Sequence, residues 1–271
     1  MPELPEVETV ARGLARIWEG RRFARVEARR PDLRRPFPED LGQRLTGARI
    51  ERVGRRAKYG LVETDRGDTL IFHLGMSGRM RLDPVEIEKH DHVLFTTDEG
   101  HVVAFNDARR FGSLDLTETA TLDAHPLLAG LGPEPLGPEL TPKHLADAFA
   151  DRIAPAKALL LDQRVVAGLG NIYVCEALHI AGVHPERPGG KVRRAEIEKL
   201  VPAIREVLTQ AIEAGGSTLR DYAQVDGELG YFQKQWRVYG REDEACPTCA
   251  KPVKRIVQSG RSSFFYKSCQ R

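Results

Sequence analysis

The second residue of the chain is a proline, and removal of the initiator Met1 turns its nitrogen into a secondary amine at the chain terminus. Terminal amines titrate near pH ~8, far closer to neutrality than a lysine, so a useful fraction of Pro2 is unprotonated and able to form an imine with a carbonyl-like carbon. With Met1 retained, the same nitrogen would be a tertiary amide without nucleophilicity. Glu3 and Glu6 stand beside it, carboxylates suited to protonating a leaving oxygen or stabilising an iminium cation. A Met-Pro-Glu start is common, and by itself it identifies no chemistry. The second reactive group is made of thiols. Cys246, Cys249 and Cys269 gather near the C-terminus, and in a chain of cytosolic character clustered thiols bind metal more often than they pair. Cys175 stands apart, in a stretch from Ile172 to Leu178 that reads as a helix packing one face inward, so it is expected to be a buried, inert thiol.

These groups need elements to hold them. Val7, Val10, Leu14 and Ile17 have the spacing of an amphipathic helix over residues 3–19, so the terminal amine is expected against a folded body. From Phe23 to about Leu116 the pattern turns to short β-rich runs such as Gly60–Glu63, Thr69–His73 and His101–Phe105, separated by Gly and Asp turns, as in a β-sandwich or barrel. Leu131–Pro138 is rich in Pro and Gly and reads as a linker. Helical periods follow over Lys143–Phe149, Asn171–Ala181 and Ala195–Ala214, with Gly168 and Gly170 punctuating one junction. The segment from Phe232 to Arg271 returns to short strands around Cys246 and Cys249. The fold class expected is therefore α+β, with a catalytic β-sandwich domain over 1–130, a linker at 131–142, a helical domain over 143–231 and a terminal hairpin over 232–271.

The 271 residues carry 41 Lys and Arg against 39 Asp and Glu, a balance too even to imply nucleic acid by itself. Distribution says more. Seven arginines lie between Arg21 and Arg35 against Glu27 and Asp32, and nine Lys or Arg lie between Gln233 and Arg271 against three acids. Either run could be no more than a solvated face. No apolar run approaches the ~20 residues of a membrane helix, and the start lacks a basic and apolar leader. A cytoplasmic location without membrane contact is expected.

The string from Met1 to Val10, MPELPEVETV, closely resembles the start of bacterial formamidopyrimidine-DNA glycosylases, and further matches arrive in order. They include Arg55–Tyr59, His73–Gly78, Lys89–His92, Asp107–Gly112, Leu131–Leu136, Leu169–Tyr173, Gly215–Leu219 and Val238–Arg241, so the resemblance covers essentially the whole chain. It implies a helix and β-sandwich, a helix-two-turn-helix domain and a zinc-finger hairpin. The expected partner is double-stranded DNA carrying oxidised bases, bound by a monomer in the bacterial cytosol at the nucleoid. Carried over by position, Pro2 is the Schiff-base nucleophile, Glu3 the proton donor of base removal, Lys58 the donor for β-elimination and Arg261 the donor linked to δ-elimination, with Glu6 beside them. Met76, Arg109 and Phe111 match residues that fill the gap left by a flipped nucleotide; by residue type alone, Met76 and Phe111 would be core. His90, Arg152, Lys157 and Asn171 match positions that bind DNA or its phosphates, although Arg152 stands where lysine is usual, and His90 could instead be structural.

The chain departs from the family in its finger. Members carry C-x2-C, sixteen residues, then C-x2-C, because structural zinc favours four closed tetrahedral ligands. Here Cys246, Cys249 and Cys269 fill three positions and Tyr266 stands in the fourth, with no histidine after Cys246 to replace it. A Zn2+ ion is expected from the resemblance, yet three thiolates would hold it less tightly, or strand pairing could hold the hairpin without metal. Two rival functions share the pattern. The endonuclease VIII branch acts on oxidised pyrimidines but begins Pro-Glu-Gly-Pro, unlike Pro2–Pro5 here, and Ser217–Tyr231 matches the loop that covers 8-oxoguanine in purine-specific members. A noncatalytic damage-binding protein would have no use for Pro2, Glu3 and Lys58 together.

Overall fold

The computed structural model describes residues 2–217, 224–246 and 249–271, and the chain divides into two compact units. The first holds Met1–Ala129 with Ile212–Gln233, and the second Gly130–Ala211 with Lys234–Arg271. Of the stretch 143–231 that the sequence reading gave to the helical half, the described residues 212–217 and 224–231 fall in the first unit.

In the first unit, helix α1 (Leu4–Trp18) begins almost at the terminus. Glu3 is its N-cap and Glu6 its third residue, and the two form a reciprocal capping box that satisfies two backbone donors which otherwise lack partners at a helix start. The buried face of α1, Val7, Val10, Ala11, Leu14 and Trp18, joins the core of a β-sandwich. One sheet has the order β1 (Phe23–Ala28), β6 (Asp91–Thr97), β7 (Val102–Asn106), β5 (Arg79–Leu82); the other has β2 (Ile50–Arg56), β3 (Tyr59–Thr64), β4 (Asp68–His73), β8 (Ser113–Glu118). All pairs are antiparallel. Trp18 meets Phe23 edge-on at 5.3 Å and Phe95 at 5.4 Å, which seats the end of α1 on the first sheet.

Gly60 on β3 lies opposite Phe72 on β4, and a Cβ at Gly60 would fall on the buried Phe72 ring. Only glycine lets that ring lie flat over its neighbour strand. Gly60→Ala is expected to lower stability by about 1–3 kcal/mol through overpacking, measured as a lower urea midpoint with an unchanged slope.

A short helix α2 (Leu41–Leu45) belongs to the first unit, and the second contains α3 (Pro142–Phe149), α4 (Ala156–Leu161), α5 (Asn171–Ala181) and most of α6 (Arg194–Glu213). Thr141 caps α3 by accepting the His144 N–H at 3.1 Å, and Gly182 ends α5 in the left-handed region, at φ 73°. The short α4 escaped the sequence reading. The Pro-Gly stretch at 131–138 forms no helix or strand, as expected, yet it is strapped down: Arg205 donates to the carbonyls of Gly137 and Leu140 at 2.9 and 3.0 Å. Strands β9 (Lys254–Gln258) and β10 (Arg261–Phe265) form the terminal hairpin. Its tip, Ser259-Gly260, has positive φ at both residues, the twist-matched form of a two-residue turn.

Candidate functional site

Pro2 is buried beside the start of α1, and Glu3 and Glu6 are 3% and 2% exposed. Glu6 works in two directions. Its Oε2 accepts the Glu3 N–H at 2.8 Å, and its Oε1 accepts the Ser217 N–H at 2.8 Å. One carboxylate therefore fixes the helix start against the segment leading to residues 218–223, which lie outside the described residues and take with them the end of the Gly215–Leu219 match.

Lys58, 7% exposed, sits in the two-residue turn between β2 and β3, where Ala57 has φ 53°. Arg55 braces that turn. Its Nη1 donates to the Ala57 carbonyl at 2.9 Å and its Nε to Glu8 on α1 at 3.0 Å. Burial pushes the Glu8 carboxyl up, but the guanidinium contacts from Arg55 and Arg12 outweigh it and hold the group below its ordinary range. A charged link thus runs from α1 through Arg55 to the Lys58 turn. Sequence reasoning assigned neither Glu8 nor Arg55 a role, although both lie in matched strings. Arg55→Ala is expected to slow β-elimination about 10-fold or more by misplacing Lys58, with base removal little changed. Borohydride trapping would then capture more covalent complex at a given time, and an Arg55→Lys variant, unable to make both bonds, would not restore the rate.

His73 was likewise unassigned. Burial first, then the charges of Lys58 and Arg34, bring it down to about 4. It is neutral at working pH, and its Nδ1 accepts the Gly75 N–H at 2.9 Å, which anchors the loop bearing Met76.

Met76 and Phe111 are 38% and 41% exposed, which overturns the core placement their type suggests. Arg109 lies with its guanidinium carbon 5.0 Å from the Phe111 ring centre. One residue organises all three. Asp107, fully buried, accepts from Ser77 Oγ at 2.6 Å, from the Arg109 N–H at 3.3 Å and from the Gly112 N–H at 2.7 Å. The 73–78 and 107–112 loops are thereby locked together. Gly75, at φ 60°, has no room for a Cβ because the Phe111 backbone passes over it.

His90 is half-buried and lines a hollow of about 380 Å³ with Arg29, Arg30, Lys89, His92 and Arg110. The first arginine run is therefore divided in place, although Arg30 also pairs with Asp32 at 2.8 Å. Arg21, Arg22 and Arg25 form surface ion pairs with Glu99, Asp65 and Glu27, whereas Arg29 and Arg30 face the hollow.

In the second unit, Arg152 is exposed, and Arg261 is exposed at the hairpin tip. Lys157 is enclosed within this unit. It is 1% exposed, and its ammonium donates to the Ser262 carbonyl at 2.9 Å and to Ser263 Oγ at 2.6 Å. A cation so enclosed fastens the hairpin to α4. Asn171, at the first position of α5, donates from Nδ2 to the same Ser262 carbonyl at 2.9 Å. Cys175 is buried among Val238, Val253 and Phe264, as expected of an inert thiol.

The sulfurs of Cys246, Cys249 and Cys269 lie within 4.8 Å of one another and could hold a metal ion. Among the described residues no histidine or carboxylate joins them within that distance. Tyr266 is fully buried, and its hydroxyl donates toward the carbonyls of Arg237 at 3.3 Å and Ala245 at 3.4 Å. Burial raises its phenol, so it stays neutral and offers no ligand charge. This donor set does not fit the closed four-ligand site of a structural zinc.

Comparison with known proteins agrees with this geometry. The profile of the formamidopyrimidine-DNA glycosylase N-terminal domain matches residues 1–114, and that of the family's H2TH domain matches residues 131–223. The chain is 64% identical to the formamidopyrimidine-DNA glycosylase of Novosphingobium aromaticivorans and 57% identical to that of Roseobacter denitrificans, each match covering all of both chains. It is similar to the MutM (Fpg) protein of Thermus thermophilus, at 40% identity and a TM-score of 0.90 over 99% of this chain and 98% of that one. It is also similar to a Lactococcus lactis Fpg mutant in complex with a Fapy-dG containing DNA, at 36% identity and a TM-score of 0.92 over both full chains. Among the described residues no helix is long and apolar enough to cross a membrane.

Proposed function

Because the chain belongs to the formamidopyrimidine-DNA glycosylase family, and is thus a DNA glycosylase of base excision repair, we propose that it removes oxidised purines from duplex DNA with Pro2 as the attacking amine. The observation that carries this reading is the combination, within one unit, of a buried Pro2-Glu3-Glu6 start and an exposed Met76, Arg109 and Phe111 cluster.

Chemistry on a base requires the nucleotide to leave the stack. Met76 and Phe111 offer apolar surface to the vacated space, and Arg109 offers hydrogen bonds to the orphaned cytosine, favouring lesions opposite C. With Met1 removed, the Pro2 nitrogen bonds to the sugar C1′ while the base departs with the electrons of the glycosidic bond. Glu3 gives its proton to the departing base, and the amine's own proton passes to O4′ as the C1′–O4′ bond breaks, which opens the sugar and leaves an iminium at C1′. Loss of a C2′ proton then expels the 3′ phosphate with Lys58 as proton donor, and a second elimination, with Arg261 as donor, expels the 5′ phosphate. Hydrolysis of the iminium returns the free amine. His90, Arg152 and Asn171 are assigned to the DNA backbone, and Lys157 to holding the hairpin that carries Arg261. The protein works as a monomer on chromosomal DNA in the bacterial cytosol, and no step passes through a metal.

Single-turnover excision tests the substrate. Duplex containing 8-oxoguanine opposite cytosine is expected to be cut much faster than duplex containing thymine glycol. The reverse preference would move the chain to oxidised pyrimidines, and tight binding without cleavage by Met1-free protein would make it a damage-binding protein.

A further inference from the structure

We propose that the β9–β10 hairpin of this chain is a metal-independent finger, fastened by the buried Tyr266 ring at the position where relatives with four cysteines would place a ligand. The Tyr266 side chain is fully buried, in a cluster with Cys175 of α5, Val238, Cys246, Val253 and Phe264, against which Tyr239, Cys249 and Cys269 also pack as apolar surface. Its ring also packs 5.2 Å from His179 of α5. An aromatic residue of this size brings far more apolar burial than a cysteine at the same position, and its hydroxyl, bonded toward two carbonyls that precede the hairpin, leaves the polar end satisfied.

The rest of the hairpin is tied down by groups that need no ion. The Tyr266 N–H donates to Gln270 Oε1 at 3.0 Å, and Gln270 Nε2 donates to the Val183 carbonyl at 2.9 Å. Lys157 and Asn171 both hold the Ser262 carbonyl. Glu176 on α5 accepts the N–H groups of Arg237, Val238 and Tyr239 at 2.8, 3.0 and 2.8 Å, fixing the strand of chain that leads into the finger. Phe264 meets Tyr239 edge-on at 5.0 Å, and Phe265 meets His184 at 4.4 Å. A structural zinc does its work by fixing a chain that cannot bury enough of itself; this hairpin already has a core and a set of tethers to two helices. An ion seated on the three sulfurs would have an open fourth position and would exchange without releasing the strands.

The test uses the full-length protein as purified. Zinc content is measured by elemental analysis, and hydrogen exchange is followed at the β9 and β10 amides before and after chelation with EDTA. Protection is expected to change by less than about 2-fold whether or not zinc was present. Collapse of that protection when stoichiometric zinc is removed would overturn the proposal, and so would unprotected strands in metal-free wild type. Tyr266→Cys completes the ligand set and is expected to gain one zinc per chain and chelator-sensitive protection. Tyr266→Ala is expected to lose protection with or without added zinc, and protection restored to it by zinc would also contradict the proposal. Should either variant fail to fold, the wild-type exchange decides.

Discussion

Glu3→Gln should abolish base removal while sparing strand cleavage at a preformed abasic site. The carboxyl is 3% exposed at the N-cap of α1, where the amide is close to isosteric and can still take part in the cap. What the amide lacks is a proton to give. A positioned acid contributes about 10²–10⁴-fold, and excision of 8-oxoguanine is expected to fall by that factor. An abasic sugar has no base to expel, so its cleavage through Pro2 and Lys58 should fall far less. Single-turnover assays on the two substrates measure the split. Equal losses on both would mean that Glu3 matters for architecture and is not the donor.

The second large effect is expected at Asp107, a residue that touches no DNA in this account. Removing its carboxylate in Asp107→Ala leaves the Ser77 hydroxyl and the Gly112 N–H without their acceptor, at about 1–3 kcal/mol for each buried group. Asp107→Asn should also fail, because its amide nitrogen would face an N–H donor where the carboxylate now has an acceptor on each side. The two loops that carry Met76, Arg109 and Phe111 would come apart, and 8-oxoguanine excision is expected to drop about 10²-fold as the wedge loses its placement. An abasic nucleotide has no base to unstack and should be cut with a smaller loss. Thermal melts report the stability cost, and comparison of the two substrates reports the wedge. A stable Asp107→Ala with wild-type excision would refute the role.

How much of this was legible depended on whether a residue's type announces its place. The α1 periodicity and the β-rich runs did, and helices over Asn171–Ala181 and near 195–214 follow from spacing alone. Met76 and Phe111 did not, since apolar type points inward and only the locked loops hold them outward. Lys157 is the converse: a cation whose type points to solvent, enclosed because Ser262 and Ser263 supply acceptors from far along the chain. Asp107, His73 and Arg55 lay inside matched strings, but their work is to receive or donate across loops, and no local pattern encodes such a partner. Residues 224–231 come after a helix in sequence, yet Val225 packs with the sandwich: the Leu82 N–H donates to the Val225 carbonyl at 3.0 Å, and Val225 enters the sandwich core. Tyr266 was visible as a missing cysteine, whereas the core it anchors was not.

The proposed chemistry begins with attack of the Pro2 nitrogen on the sugar. The most direct measurement incubates the protein, shown by intact mass to lack Met1, with duplex containing 8-oxoguanine opposite cytosine in the presence of borohydride, then maps the trapped adduct by peptide mass. A covalent complex with the sugar on the N-terminal nitrogen of Pro2 is expected, reduced or absent in Pro2→Gly. An adduct on a lysine, or tight binding with no adduct at all, would contradict it.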